Sequence, residues 1–252
     1  MRSLIEKGWV TEHTDHPKLA STSADTSEVD LNTDQQAAFH AIHSALEAQQ
    51  FSCTLLHGVT GSGKTEVYFA AIQEVLDQQR QVLLLVPEIG LTPQLMDRIA
   101  TRFAVPVVSM HSALNDRERH IAWWHSASGD ANIIVGTRSA IFSPFANLGL
   151  IVVDEEHDAS YKQQDGVRYQ ARDVAIYRAK KANIPIILGS ATPAQETYAN
   201  AQSGKYQLSS LTRRATDTAL PKVELVDLNL QPSNDGLSPA LMEAIKLSLI
   251  HI

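Results

Sequence analysis

Eight residues constrain this chain more than any others. Gly58-Val-Thr-Gly-Ser-Gly-Lys64-Thr65 follows the apolar run Cys53–His57 and precedes a stretch with helical spacing, Thr65–Gln79. A strand that runs into a glycine-rich turn and then a helix aims several backbone N–H groups at one point, and the helix N-terminus adds positive charge there. Glycines let the backbone approach an anion that side chains would hold off. The pattern is G-x-x-x-x-G-K-[ST], the phosphate loop. It assigns Gly58, Thr60, Gly61, Ser62 and Gly63 to the cradle, Lys64 to the β- and γ-phosphates of a bound nucleotide, and Thr65 to Mg²⁺.

The rest of the sequence repeats the same alternation. Short apolar runs lie at Val82–Val86, Val105–Ser109, Asn132–Val135, Leu150–Val153 and Ile184–Leu188, and helical patterns at Pro93–Phe103, Asn115–His125, Ala171–Ala182 and Ala194–Ser203. Most runs are continuous rather than alternating, as strands covered on both faces require. The expected fold is α/β, a mostly parallel sheet with helices on both faces.

The second chemical signal is Leu148-Gly-Leu-Ile-Val-Val-Asp154-Glu155-Glu156-His157, an apolar strand ending in three acids and a histidine. Three adjacent carboxylates repel one another unless a cation offsets them. Beside a phosphate loop that cation is Mg²⁺, placed with Asp154 and Thr65; Glu155 then orients and deprotonates the attacking water, and His157 senses the γ-phosphate position. The loop and the acidic cluster are expected to face each other across neighbouring strand tips. Gly189-Ser-Ala-Thr192-Pro193 ends another apolar run, and its Ser190 and Thr192 hydroxyls suit a relay between the acidic cluster and a bound polymer. Gln35, upstream of the first strand, carries an amide able to read the edge of adenine.

Charge and composition narrow the setting. Against 21 Lys and Arg stand 28 Asp and Glu, a net charge of −7, so no general basic coat for nucleic acid exists, although a local basic track remains open. Six bases and two acids do occur between Lys162 and Lys181. One cysteine, Cys53, rules out an internal disulfide framework and a Cys-ligated zinc site within this sequence. His111 and His120 lack partners at metal-ligand spacing and read as structural. The paired Trp123-Trp124 reads as core packing. The first thirty residues lack the apolar core of a signal peptide and no run is long enough to span a membrane, which gives the expectation of a cytoplasmic protein.

In this order and spacing, the phosphate loop, Asp-Glu-Glu-His and Ser-Ala-Thr resemble superfamily 2 helicases. Longer strings narrow the match: Val86-Pro-Glu-Ile-Gly-Leu-Thr-Pro-Gln94, Val135-Gly-Thr-Arg-Ser-Ala-Ile-Phe142, Asp154-Glu-Glu-His-Asp-Ala-Ser-Tyr-Lys-Gln-Gln164 and Tyr169-Gln-Ala-Arg-Asp-Val174. Over residues 31–246 the sequence resembles the PriA-type primosomal helicases, bacterial motors of replication restart. The resemblance implies a RecA-like P-loop NTPase lobe that binds ATP and Mg²⁺ and follows single-stranded or forked DNA. Pro87, Glu88, Thr92, Gly136, Thr137 and Arg138 would line the sugar–phosphate track, a contact that is salt-dependent and indifferent to sequence. Residues 160–169 match an aromatic-rich coupling loop, with Tyr161, Arg168 and Tyr169 retained and Val167 where the family pattern carries Trp.

The same resemblance implies further parts: a second lobe with an arginine finger, zinc in a C-terminal portion, and, as partners, other primosome proteins and single-stranded-DNA-binding protein, with no membrane. The expected organisation is a winged-helix remnant at 1–12, a linker at 13–30, helicase lobe 1 at 31–230, and the start of the connection to lobe 2 at 231–246. A helix is expected at Ser238–Lys246. The last six residues, Leu247-Ser-Leu-Ile-His-Ile252, read like translated sequencing adapter. Two other readings share parts of the pattern: another superfamily 2 translocase of repair or fork reversal, and a nucleotide-gated binding module or P-loop kinase.

Overall fold

The six apolar runs become strands, and a seventh joins them. They are β1 (Cys53–Gly58), β2 (Gln81–Leu85), β3 (Val107–Met110), β4 (Ile133–Gly136), β5 (Leu148–Val153), β6 (Ile186–Ser190) and β7 (Gln207–Leu211). The computed structural model describes residues 30–214, 223–230 and 236–249, so the expected winged-helix remnant and residues 13–29 of the expected linker lie outside the described residues. The sheet order is β3-β4-β2-β5-β6-β1-β7, and every pairing is parallel.

Successive strand residues point to opposite faces, and here both faces are apolar. Leu56, Val82, Leu84, Ile133, Val135, Leu150, Val152 and Ile187 pack on one side with helices α1 (Thr33–Glu47), α2 (Lys64–Asp77) and α3 (Pro93–Phe103). Leu55, Leu83, Leu85, Ile134, Ile151, Val153, Ile186 and Leu188 pack on the other with α4 (Asp116–Ser128), α5 (Ala171–Ala182) and α6 (Gln195–Gln202). Each such fully buried side chain contributes about 1.5–3 kcal/mol, so the continuous apolar runs are accounted for by two cores, one per face. Cys53 belongs to the second core, where burial pushes its thiol up to about 12 and keeps it unreactive at neutral pH.

Two elements were not expected from the sequence. Helix α1 opens with Asn32, whose side chain accepts from the Gln35 N–H while the Gln35 side chain accepts from the Asn32 N–H, a capping box that starts the helix. It buries Gln35, Ala38, Ile42 and Leu46 along one stripe. Strand β7 is a sheet edge that buries only Ser209 and Leu211, so its polar sequence carries little strand signal. The tryptophans of α4 overturn another expectation: Trp123 is 47% and Trp124 40% exposed, outside the core.

The chain divides after Thr216 into two compact units. In the second, α7 (Pro239–Leu249) is capped as its sequence predicts, the Ser238 hydroxyl accepting from the Leu241 N–H at 3.2 Å, and it runs three residues past the expected end at Lys246.

Candidate active site

In a parallel sheet every strand delivers its carboxyl end to the same edge, and ligands of open α/β sheets bind there. The segments that leave this edge are the glycine loop after β1, Pro87–Thr92 after β2, Thr137–Phe142 after β4, the acidic residues after β5 and Ala191–Pro193 after β6.

The loop keeps the shape that its glycines allow. Gly61 and Gly63 have φ of 81° and 82°, a conformation that favours glycine. A Cβ on Gly58 would stand 2.5 Å from Ser62 Oγ and 2.9 Å from Leu211 Cβ, so no larger residue fits. Helix α2 begins at Lys64, and its first N–H groups have no intrahelical partner. Lys64 is buried; its Nζ donates to the Gly58 carbonyl at 3.0 Å and lies 3.5 Å from Glu155 Oε1. Ser62 Oγ is buried without a hydrogen-bond partner inside this turn. An orphan hydroxyl, a glycine at 58 that admits no Cβ, a helix N-terminus and a lysine fit a phosphate group. Gln35 sits beneath the loop with its amide engaged within the protein: Nε2 donates to the Ser62 carbonyl at 3.0 Å and Oε1 caps α1. In this conformation it braces the loop rather than offering its amide to adenine.

The acidic cluster does not converge on one point. Asp154 is held at Oδ1 by the Tyr68 hydroxyl at 3.0 Å. Burial, then the charge of Glu155, raises its carboxyl above the usual range, while Tyr68 and Lys64 pull it back toward ionisation. Glu155 takes a left-handed φ of 44°, a strain on the order of 1–3 kcal/mol that recurs at functional sites. It faces Lys64 and lies 3.6 Å from His157 Nδ1. Glu156 turns the other way and is fully buried. Its carboxylate accepts from Arg172 Nη1 at 3.0 Å, from Thr197 Oγ1 at 2.9 Å and from the Ala194 N–H at 2.7 Å. Of the three adjacent charges that a cation was expected to offset, Glu156 is neutralised inside the protein by Arg172, which leaves Asp154 and Glu155 at the strand end. A further correction concerns position: β6 lies between β1 and β5, so loop and acids face each other across one intervening strand. Among the described residues no group of three or more His, Cys, Asp or Glu side chains is placed to hold a metal.

The intervening strand carries the third motif into contact with the second. His157 Nδ1 is 2.7 Å from Ser190 Oγ, His157 Nε2 is 3.1 Å from Thr192 Oγ1, and Ser190 Oγ also accepts from the Thr192 N–H at 3.0 Å. Both histidine nitrogens are thereby engaged with this turn.

The residues assigned to a polymer track divide into those that are open and those that are not. Glu88 is exposed on a single 3₁₀ turn, Arg138 is half-buried, and Arg168 is exposed. Pro87 and Thr137 are buried, and the Thr92 hydroxyl is used as the N-cap of α3, accepting from the Leu95 N–H at 3.2 Å. A Cβ on Gly136 would stand 2.5 Å from the Met110 carbonyl, which explains the glycine by close packing of β3 on β4. Arg138 Nη1 donates to the Ser160 and Lys162 carbonyls, both at 3.2 Å, and so ties its own turn to the aromatic loop. Tyr161, expected in the coupling loop, is closed to any base. Its ring is fully buried and its hydroxyl donates to the Asp154 carbonyl at 2.7 Å. Tyr169 packs edge-on against the exposed Phe142 at 5.0 Å, and Val167 is 84% exposed at the loop tip. Lys162, Gln164, Arg168 and Tyr169 line an open hollow of about 520 Å³. The basic stretch is also partly structural: Arg172 serves Glu156 and Asp173, and Arg178 serves the Ile141 and Ser143 carbonyls and the Phe145 ring.

Sequence reasoning missed Tyr68, Gly189 and the inward role of Glu156. Tyr68 had a signal, since it follows Lys64 by four positions on a helix and so shares its face.

The chain is similar to several known proteins. The DEAD/DEAH box helicase family matches residues 32–201. The chain is 42% identical over 250 residues to the replication restart protein PriA of Bacillus subtilis, covering 98% of this chain and 31% of that protein. It is 48% identical over 221 residues to the same protein of Haemophilus influenzae, covering 87% of this chain and 30% of that one. The chain thus spans about 30% of the length of the curated relatives it matches. Among solved structures, RecG bound to a three-way DNA junction superposes with a TM-score of 0.58 at 21% identity over 86% of this chain and 28% of that one, a likeness of fold. With its phosphate loop and acidic cluster assembled at one sheet edge, the chain belongs to the DEAD/DEAH box helicase family.

Proposed function

We propose that residues 31–230 form the first RecA-like lobe of an ATP-driven 3′→5′ DNA helicase of replication restart. The lobe binds ATP with Mg²⁺ and follows single-stranded or forked DNA. The observation that carries this reading is the approach of Lys64 Nζ to within 3.5 Å of Glu155 Oε1, which brings the phosphate-binding cation and the base for water to one point. Gly58, Thr60, Gly61, Ser62 and Gly63 wrap the phosphates, Lys64 neutralises them, and Gln35 supports the loop from below. Thr65 and Asp154 would hold Mg²⁺, which would supply charge neutralisation for the phosphates. Glu155 orients the attacking water and accepts its proton. His157 passes the state of that site to Ser190 and Thr192. Glu88, Arg138, Arg168 and Tyr169, on neighbouring segments of the same edge, meet the DNA backbone and bases, with Pro87, Thr92, Gly136 and Thr137 shaping the turns beneath them.

In this reading the arginine finger comes from a second lobe, zinc belongs to a C-terminal portion, and other primosome proteins and single-stranded-DNA-binding protein are the partners of a cytoplasmic enzyme. The present chain then binds ATP weakly and turns it over slowly, since such a finger contributes about 10³–10⁵ in rate. The test is ATP binding and ATPase rate, with and without single-stranded DNA, on this chain and on the full-length gene product. Lys64→Ala should weaken ATP binding by about 10–100-fold, the loss of a charge-assisted contact. DNA stimulation should be strong in the full-length protein alone. Equal ATP affinity in wild type and Lys64→Ala would overturn the assignment.

A further inference from the structure

Tyr68 lies one helical turn after Lys64, and the two side chains serve consecutive residues of the acidic cluster. Lys64 approaches Glu155, and Tyr68 donates to Asp154 Oδ1 at 3.0 Å. The phenol is 2% exposed, and to reach Asp154 it crosses β6, the strand between β1 and β5. It passes where Gly189 has no side chain. A Cβ on Gly189 would overlap the Tyr68 hydroxyl outright and stand 2.6 Å from its Cζ. Gly189 has no left-handed φ that would call for glycine, so the vacancy is explained by the tyrosine.

A tyrosine that only filled the core would not need its hydroxyl aimed at a buried carboxylate through a gap one atom wide. The hydrogen bond fixes which Asp154 oxygen is engaged, which leaves Oδ2 for any ligand. It also links the helix that starts at the phosphate loop to the carboxylate on β5 without passing through the backbone of either. We propose that Tyr68 is a positioning residue that aims the Asp154 carboxylate, with Gly189 as the opening that admits it, so that the Mg²⁺ dependence of nucleotide binding rests on the Tyr68 hydroxyl. This inference rests on the phosphate-site reading above.

The test is a titration of a fluorescent ATP analogue, in EDTA and across a range of MgCl₂, on wild type, Tyr68→Phe, Gly189→Ala and Lys64→Ala. Tyr68→Phe keeps the ring and removes only the O–H. Its affinity in EDTA should stay within about twofold of wild type, while the Mg²⁺ needed for half-maximal tightening rises by about tenfold, the equivalent of one hydrogen bond to a charged group. Gly189→Ala should give the same Mg²⁺ defect with a lower melting temperature. Should it fail to fold, Tyr68→Phe alone decides. A Mg²⁺ response in Tyr68→Phe equal to that of wild type overturns this inference and leaves the phosphate site standing. Wild type binding no better than Lys64→Ala overturns the phosphate site and this inference with it.

Discussion

Asp154, Glu155 and Glu156 are consecutive in sequence, and the backbone sends their side chains to three different environments. The left-handed φ at Glu155 makes the turn that separates them. Asp154 meets Tyr68, Glu155 meets Lys64, and Glu156 closes a buried network with Arg172, Thr197 and the Ala194 N–H. Breaking a buried pair by removing one partner costs about 3–5 kcal/mol because the other charge is left uncompensated. Glu156→Ala should therefore lower unfolding stability by that order in chemical denaturation, while Glu155→Gln, at a partly exposed and strained position, should leave stability within about 1 kcal/mol of wild type. Equal stability of the two variants would contradict the division of roles. At this scale the sequence made the acids visible and concealed their directions, because composition and spacing carry no φ angle.

Helix α1 and helix α2 pack on one face of the sheet, and an ion pair joins them: His43 Nδ1 lies 2.6 Å from Glu74 Oε2. The hydrogen bond that the imidazole donates to the Glu74 carboxylate, opposed by partial burial and aided by the charges of Glu74 and Glu47, raises the His43 pKa above its ordinary value of 6.5. A folded-state pKa raised above the unfolded one adds stability that is complete below the unfolded value and is lost as pH rises through the folded value. Melting temperature should thus fall as pH is raised from 6 toward 8, and His43→Gln should flatten that slope. An unchanged slope would remove the pair from the account. The helices themselves differ in legibility. Helices α3 and α5 fall where their spacing puts them, at Pro93–Phe103 and Ala171–Ala182. Helix α1 is hidden, since its buried stripe starts with the polar Gln35 and the small Ala38 and leaves only Ile42 and Leu46 as large apolar positions. Strand β7 is hidden because an edge strand needs few apolar residues.

Across the sheet, a parallel arrangement gathers the ends of β1, β2, β4, β5 and β6 at one edge, so motifs scattered over more than a hundred residues meet there. Their order matters as much as their presence. With β6 between β1 and β5, the Ser190 turn contacts His157 directly, and the loop and the acids communicate across it. The Arg138 guanidinium then links the β4 turn to the loop that carries Lys162, Arg168 and Tyr169. If that edge carries the DNA backbone, binding of a single strand should weaken linearly in log–log plots against salt, and Arg168→Ala should reduce the slope by about 0.7, one phosphate contact. Fluorescence anisotropy over a salt series measures this, and an unchanged slope would take Arg168 off the track.

By itself the sequence determined the phosphate loop, the strands buried on both faces and the parallel class of the sheet. Each of these is written in local spacing: glycines where the backbone must approach an anion, and apolar runs where both faces are covered. The tertiary structure alone decided which acid turns inward, that Tyr161 is buried while the tryptophans of α4 are not, and that Gly189 makes room for Tyr68. Those outcomes depend on which strands become neighbours, and strand order arises from long-range packing that no local pattern encodes.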